Sequence, residues 1–419
     1  MEDSSRLFVG IDWATAEHQV CALDPSGKLL GEKSFNHTGE GLAELVTWLE
    51  EIAGGSLEGV SASIETTHGA VVETLIERGV RVFSINPKQL DRFRDRFSPA
   101  GAKDDRRDAH VLADSLRTDM KAFRLIALPP ENIVLLREWS RMYGEIVEDV
   151  VRHTNRFQEQ LTRYYPQFLR LGALDQLWVL ELWKRMPTPA AAACTRIASI
   201  EKILRKHRVR RFSADKVREI LAAKPFHLAP GTLEAASTHA GYAVEQLELL
   251  VPKRSHCRRS LSALLDSPAS NTEATAGGDE IEQHEAAIIQ SIPGVGTIVA
   301  ATLLAEAHDA LQRRDYHSLR TLSGVAPVTR QSGRTTLVGI RRACNQRLRG
   351  ACYHWARVAI QHDRYLKEKY CHHRARGKEH GTTLRILADY LLKVLCAMLR
   401  DRTFYDPRRN DAHLGVGAA

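Results

Sequence analysis

The sequence predicts an α/β amino-terminal domain followed by a mostly α-helical remainder. Three observations carry that expectation. The first hundred residues alternate strand and helix signals; residues 131–265 consist of long helical patterns; and residues 281–405 are helical again and strongly basic.

RLFVGID (6–12) and EHQVCALD (17–24) are short runs rich in strand-forming residues, Pro25-Ser26-Gly27-Lys28 is a turn, and KLLGEKSF continues as a third strand of the meander. GEGLAELVTWLEEI (39–52) has helical periodicity, VSASIE (60–65) is strand-like, GAVVETLIERG (69–79) is a helix ended by Gly79, and VRVFSIN (80–86) is again a strand. Residues 105–118 close the domain as a helix, giving the order β-β-β-α-β-α-β-α. Two long helical patterns, 132–165 and 232–265, predict a coiled-coil-like hairpin of the kind that often dimerises. SPASNTEATAGGDE (267–280) reads as a flexible linker. The expected divisions are 1–125, a helical region 126–280, a basic region 281–405 and a tail 406–419, with no internal repeat.

Charge is unevenly distributed. Lys and Arg number 59 against 51 Asp and Glu, a net of +8, yet residues 311–419 hold 22 basic against 8 acidic residues, a net of +14. A clustered basic surplus is the footprint of a polyanion-binding surface, so nucleic acid is the expected partner. With 43% apolar and 26% charged residues the chain can bury a sizeable core. No apolar run is long enough to cross a membrane, and the start MEDSSR lacks signal-peptide character, so neither a membrane partner nor secretion is expected. Seven scattered cysteines without CxxC spacing suggest reduced thiols and a cytoplasmic location.

Asp12 closes the first strand and Glu65 the strand at 60–65; if those strands are neighbours, the two carboxylates lie at one sheet edge. Asp105 and Asp108, three apart at a helix start, share one helical face. Four converging acids repel one another unless a cation sits among them, and a hard divalent ion such as Mg²⁺ takes carboxylate oxygens. The plainer alternative is a turn aspartate at Asp12 and an N-cap at Asp105, with Asp104 able to exchange roles with Asp105.

Ser291-Ile292-Pro293-Gly294-Val295-Gly296 lies between two helical patterns. Gly294 and Gly296 allow a tight turn that bares backbone N–H groups at a helix start, as in a helix-hairpin-helix DNA-binding turn, although any αα-hairpin uses similar residues. Downstream, the stretch Leu322 to Arg334 places a serine in a flexible loop near Arg330, Arg334, Arg341 and Arg342, which are suited to holding a phosphodiester. Spacing alone does not distinguish that serine from a turn residue.

Taken together, VGID, the IE of the second acid, KDDRRDA (103–109), PTPAA (187–191), SIPGVGxxxAAxLLAE (291–306), LSGVAPVTRQSG and Gly339-Ile340-Arg341-Arg342 resemble the IS110-family transposases, of the branch directed by a structured bridge RNA. The resemblance covers nearly the whole chain. It implies a RuvC-like (RNase H-like) DEDD domain joined through a coiled coil to a transposase domain whose serine attacks DNA. Carried over, the acids are Asp12, Glu65, Asp105 and Asp108 and the nucleophile is Ser332; Asp104 replaces the family's threonine and Cys344 its glycine.

The expected activity is therefore cutting and rejoining of donor and target duplex DNA through a phosphoserine link. Mg²⁺ would be held by the four acids, a bridge RNA would choose the sites, and a dimer or tetramer would share composite sites. No GxxxxGK[ST] segment suggests nucleotide triphosphate use. Two rivals remain: a RuvC-like junction nuclease using water, and a non-catalytic helix-hairpin-helix DNA-binding protein.

Overall fold

The computed structural model describes residues 6–97, 104–266, 285–333 and 335–408. The chain divides into two compact units, Met1–Pro129 and Pro130–Ala419.

In the first unit, β1 (Leu7–Asp12), β2 (Glu17–Leu23) and β3 (Leu29–Asn36) form the meander. They are followed by α1 (Gly39–Ile52), β4 (Val60–Ile64), α2 (Ala70–Glu77), β5 (Arg81–Ser84), α3 (Pro87–Phe97), α4 (Asp105–Asp119) and the two-residue β6 (Arg124–Leu125). The sheet order is β3-β2-β1-β4-β5-β6, with β1, β4 and β5 parallel and the other pairs antiparallel. At the 25–28 turn, one Asp24 carboxylate oxygen accepts the N–H groups of Ser26 and Lys28 at 2.8 and 2.9 Å. Thr38 caps α1, accepting the Gly41 N–H at 3.1 Å.

Alternation along β1 sorts the unit into layers. Leu7, Val9 and Ile11 enter the core under α1 and α2, whereas Phe8 joins Leu90 of α3 and Val111, Leu112 and Leu116 of α4 on the opposite face. Gly10, also on that face, explains how closely α4 can approach. A Cβ there would lie 1.9 Å from the Ala109 carbonyl oxygen and 2.5 Å from the Ala113 nitrogen, so the helix rests directly on the strand backbone.

Two features of this unit correct the sequence expectation. The helix α3 and the edge strand β6 were not anticipated, so the order is β-β-β-α-β-α-β-α-α-β. Charged residues dominate α3, and among its described side chains Leu90 and Phe93 join the core, Phe93 stacking on Phe123 at 6.3 Å between ring centres.

In the second unit, α5 (Glu131–Tyr164) and α10 (Thr232–Asp266) bracket α6 (Leu177–Arg185), α7 (Pro189–Cys194), α8 (Ile197–Lys206) and α9 (Ala214–Leu221). The PTPAA segment is the start of α7: Thr188 caps Ala191 N–H at 3.2 Å, with Pro189 at the first helical position. One core joins Val150 to Tyr164 of α5, the four short helices, and Ala236 to Val251 of α10. A second core joins Ile133 and Leu136 of α5 and Leu261 and Leu265 of α10 to the elements that follow. The long helices thus run antiparallel and carry a core at each end.

Those later elements are a helical stretch at 285–290, α11 (Thr297–Gln312), α12 (Tyr316–Leu322), β7 (Val328–Ser332), β8 (Thr335–Gly339), α13 (Gln346–His362), α14 (Arg364–Ala375) and α15 (His380–Asp401). The mainly helical region thus contains a β-hairpin, which was not anticipated. The linker at 267–280, Arg334 and the tail beyond 408 lie outside the described residues. Among the described residues no helix is long and apolar enough to cross a membrane.

Candidate active site

Three elements bring the predicted acids together in the first unit. Parallel pairing sets Ile11 opposite Ile64, so the next residue of each chain, Asp12 and Glu65, stands at the carboxyl end of two adjacent strands. In parallel α/β sheets that end is where sites are built. From Gly10 to Asp12 is two residues along a strand, and from Ala109 back to Asp105 is about one helical turn, lengths that match at roughly 6 Å. The glycine contact therefore delivers the first turn of α4 to Asp12.

Asp104 and Asp105 have separate places. The Asp104 carboxylate caps α4, accepting the Arg106 N–H at 3.3 Å, while Asp105 is the first helical residue. Asp108 is buried at 4% exposure, and Asp105 is exposed. Burial first, then the negative charges of Asp108, Asp105 and Glu65, push the Asp12 carboxyl up to about 6, against the opposing pull of Arg94. All four acids therefore share one electrostatic environment.

Arg94, which sequence reasoning missed, lies among them. Its Nε and Nη2 donate to the two oxygens of Asp108 at 2.8 and 3.0 Å, Nη2 also reaches Glu65 at 3.1 Å, and Nη1 donates to Asp91 at 2.8 Å. Burial opposes the guanidinium charge, but Asp108 and Glu65 outweigh it and hold Arg94 above its ordinary value. The available signal was the i, i+3, i+7 spacing of Leu90, Phe93 and Phe97 in a stretch dominated by charge.

The strained charge at Asp12 has a measurable consequence. A carboxyl whose folded value is raised stabilises the protein below its unfolded value near 4, and that contribution is lost as pH rises through about 6. In chelator, Asp12→Asn should therefore stabilise the protein at pH 7.5 by about 1 kcal/mol, after discounting a half-exposed position for solvent screening, and by nothing at pH 4. Urea unfolding at both pH values checks this; an equal effect at the two would disprove the assignment.

In the second unit, Ser332 differs sharply from Ser323, which precedes Gly324 in a similar Ser-Gly pair. Ser323 is fully buried and its hydroxyl donates to the Leu319 carbonyl at 2.8 Å. Ser332 ends β7, exposed and paired with Thr335 across the hairpin, with Gly333 in the left-handed region at φ 55°. The flexible loop expected here is instead a ribbon exposed along most of both strands, with Arg330 opposite Leu337.

The base of that ribbon is clamped. Asn345 donates its N–H to Leu322 at 2.8 Å, caps α13 at Leu348, and donates its side chain to Glu306 at 2.6 Å. Glu306 also accepts Arg141 at 2.9 Å. Burial alone would raise Glu306, but these hydrogen bonds hold its carboxyl below the usual range. Arg341 and Arg342 lie between ribbon and clamp, Arg342 exposed.

The glycines of the Pro-Gly turn separate as well. Gly294 has φ 84°, and a Cβ there would meet Ala359 N at 2.6 Å, so its place is set by packing on α13, where Trp355 donates to the Pro293 carbonyl at 3.1 Å. Gly296 is the N-cap of α11, with nothing close to where a Cβ would stand.

Comparison with known proteins agrees over both units. A DEDD transposase profile of IS110 elements matches residues 9–166, and a profile described as "Transposase IS116/IS110/IS902 family" matches residues 286–371. The y4uE protein of Sinorhizobium fredii is 50% identical over 217 residues, covering 51% of this chain and 60% of that protein. The IS117 mini-circle protein of Streptomyces coelicolor is 31% identical over 428 residues, covering the whole of both chains. The IS116 protein of Streptomyces clavuligerus is 28% identical over 414 residues, covering 96% of each. The chain belongs to the IS110 family of insertion-sequence transposases, enzymes whose partner is DNA.

Proposed function

We propose that this transposase cuts and rejoins donor and target duplexes through a phosphoserine intermediate formed by Ser332. The observation that carries the reading is the contrast between the serines: Ser323 is buried with its hydroxyl bonded, whereas Ser332 stands exposed at the turn of a ribbon whose base is fixed. In the cleavage step the Ser332 oxygen bonds to phosphorus, the bond from phosphorus to a deoxyribose oxygen breaks, and the serine proton is balanced by the one the leaving oxygen takes up. Reversal by another strand end rejoins DNA without nucleotide triphosphate.

The first unit would be the RuvC-like domain, its β3-β2-β1-β4-β5 order and parallel crossover supporting that assignment. Asp12, Glu65, Asp105 and Asp108 are all hard oxygen donors, and the burial and the mutual repulsion that raise Asp12 are both relieved by a cation, so the set fits Mg²⁺. When bound, such an ion stabilises charge on phosphate and leaving oxygen. Arg330, Arg334, Arg341 and Arg342 would hold the backbone phosphates, and the Gly294–Gly296 turn a neighbouring stretch of DNA.

A bridge RNA would select both sites by base pairing, with the basic quarter of the chain reading backbone and shape. Exchange between two duplexes needs several strand cuts, hence a dimer or tetramer acting in the cytoplasm. RNA sequenced from the purified protein should be dominated by one structured species; random cellular RNA would rule the guide out. The chemistry is tested with a duplex nicked beside the scissile phosphate, so that the released strand diffuses away. A serine nucleophile leaves a denaturation-resistant adduct, and water leaves free ends.

A further inference from the structure

The Asp108 side chain is only 6% exposed, and both its oxygens are engaged by one guanidinium. A buried carboxylate needs such compensation, and a fork with two parallel N–H groups supplies it. Yet the oxygens that Arg94 occupies on Asp108 and Glu65 belong to the acids read above as the cation site. Among the described residues, no three His, Cys, Asp or Glu side chains stand where they would hold a metal ion.

We propose that Arg94 is the resident counter-ion of the carboxylate centre, which a divalent cation must displace. Leu90 and Phe93 keep α3 anchored, so the exchange is a swing of one long side chain and not a movement of the helix. Asp91, on the same helix and largely exposed, already accepts Nη1 at 2.8 Å and retains the guanidinium after it leaves. Arg94 thus offsets part of the repulsion among the acids while no ion is bound, at the cost of weaker ion uptake. The opposite role, a strut that sets the acids in place for the ion, predicts the opposite sign.

The inference rests on the cation reading of the acids, and one titration separates the two. With Mn²⁺ as probe at pH 8, free ion being counted by paramagnetic resonance, Arg94→Met should bind about tenfold more tightly than the wild type, the size of one charge-assisted forked pair. In chelator the same variant should unfold at a lower temperature. Arg94→Lys keeps the charge without the fork, folds without an unpaired Asp108, and should fall between. In the unaltered protein, Mn²⁺ should increase phenylglyoxal labelling of Arg94, read by peptide mass spectrometry. Equal or weaker Mn²⁺ binding by both variants, or labelling that stays low at saturating Mn²⁺, overturns the counter-ion role. No uptake by any of the proteins overturns the cation reading, and this inference with it.

Discussion

Asp108→Asn is expected to slow DNA strand cleavage about a thousandfold or more while leaving DNA binding within about twofold, since an electrostatic group acting on developing charge is worth several kcal/mol in the transition state. The exchange preserves shape at a buried position and removes one charge and one acceptor oxygen. The remaining amide oxygen would still accept from Arg94, whose bonds to Asp91 and Glu65 keep the guanidinium where it is. Asp104→Asn is the matched control, because asparagine caps a helix as well as aspartate does and Asp104 already uses its carboxylate on Arg106. Single-turnover cleavage and a gel-shift assay on the same preparations measure both effects. Comparable losses in the two variants would mean that the helix start, not the charge of Asp108, is what matters.

Ser332→Ala should eliminate both the covalent adduct and recombination, below about one part in a thousand of wild type, since alanine has no oxygen with which to form the phosphoserine link. The fold should be untouched, because the side chain is exposed. Ser323→Ala should do the reverse. Losing the bond to Leu319 in a buried turn costs about 1 kcal/mol, with adduct formation retained. Adduct yield on the nicked duplex, with the attached residue mapped by peptide sequencing, decides between them. If Ser332→Ala still cuts and no adduct forms with either protein, the nuclease that uses water becomes the correct reading.

Sequence by itself determined the pieces whose cause is local. The strand signals of β1 and β2 and the helical periodicity of α1, α5 and α10 depend on side-chain spacing within a few residues, and each lies within two residues of its expected bounds. The acids were legible as well, because Asp12 and Glu65 each follow an apolar strand and Asp105 and Asp108 share a helical spacing.

Tertiary structure decided what depends on residues far apart in the chain. Whether Asp104 or Asp105 caps α4 became visible only in the hydrogen bond to Arg106, and the need for Gly10 only when α4 was laid on its backbone. Arg94 has no local signature, since an arginine in a charged helix looks like any solvated one until Glu65, 29 positions away, and Asp108, 14 away, are brought to its guanidinium. The serines were likewise indistinguishable as Ser-Gly pairs. Burial at the end of α12 leaves one hydroxyl bonded to Leu319, and ribbon pairing exposes the other, because solvent exposure is a property of what packs around a residue and not of the residue itself.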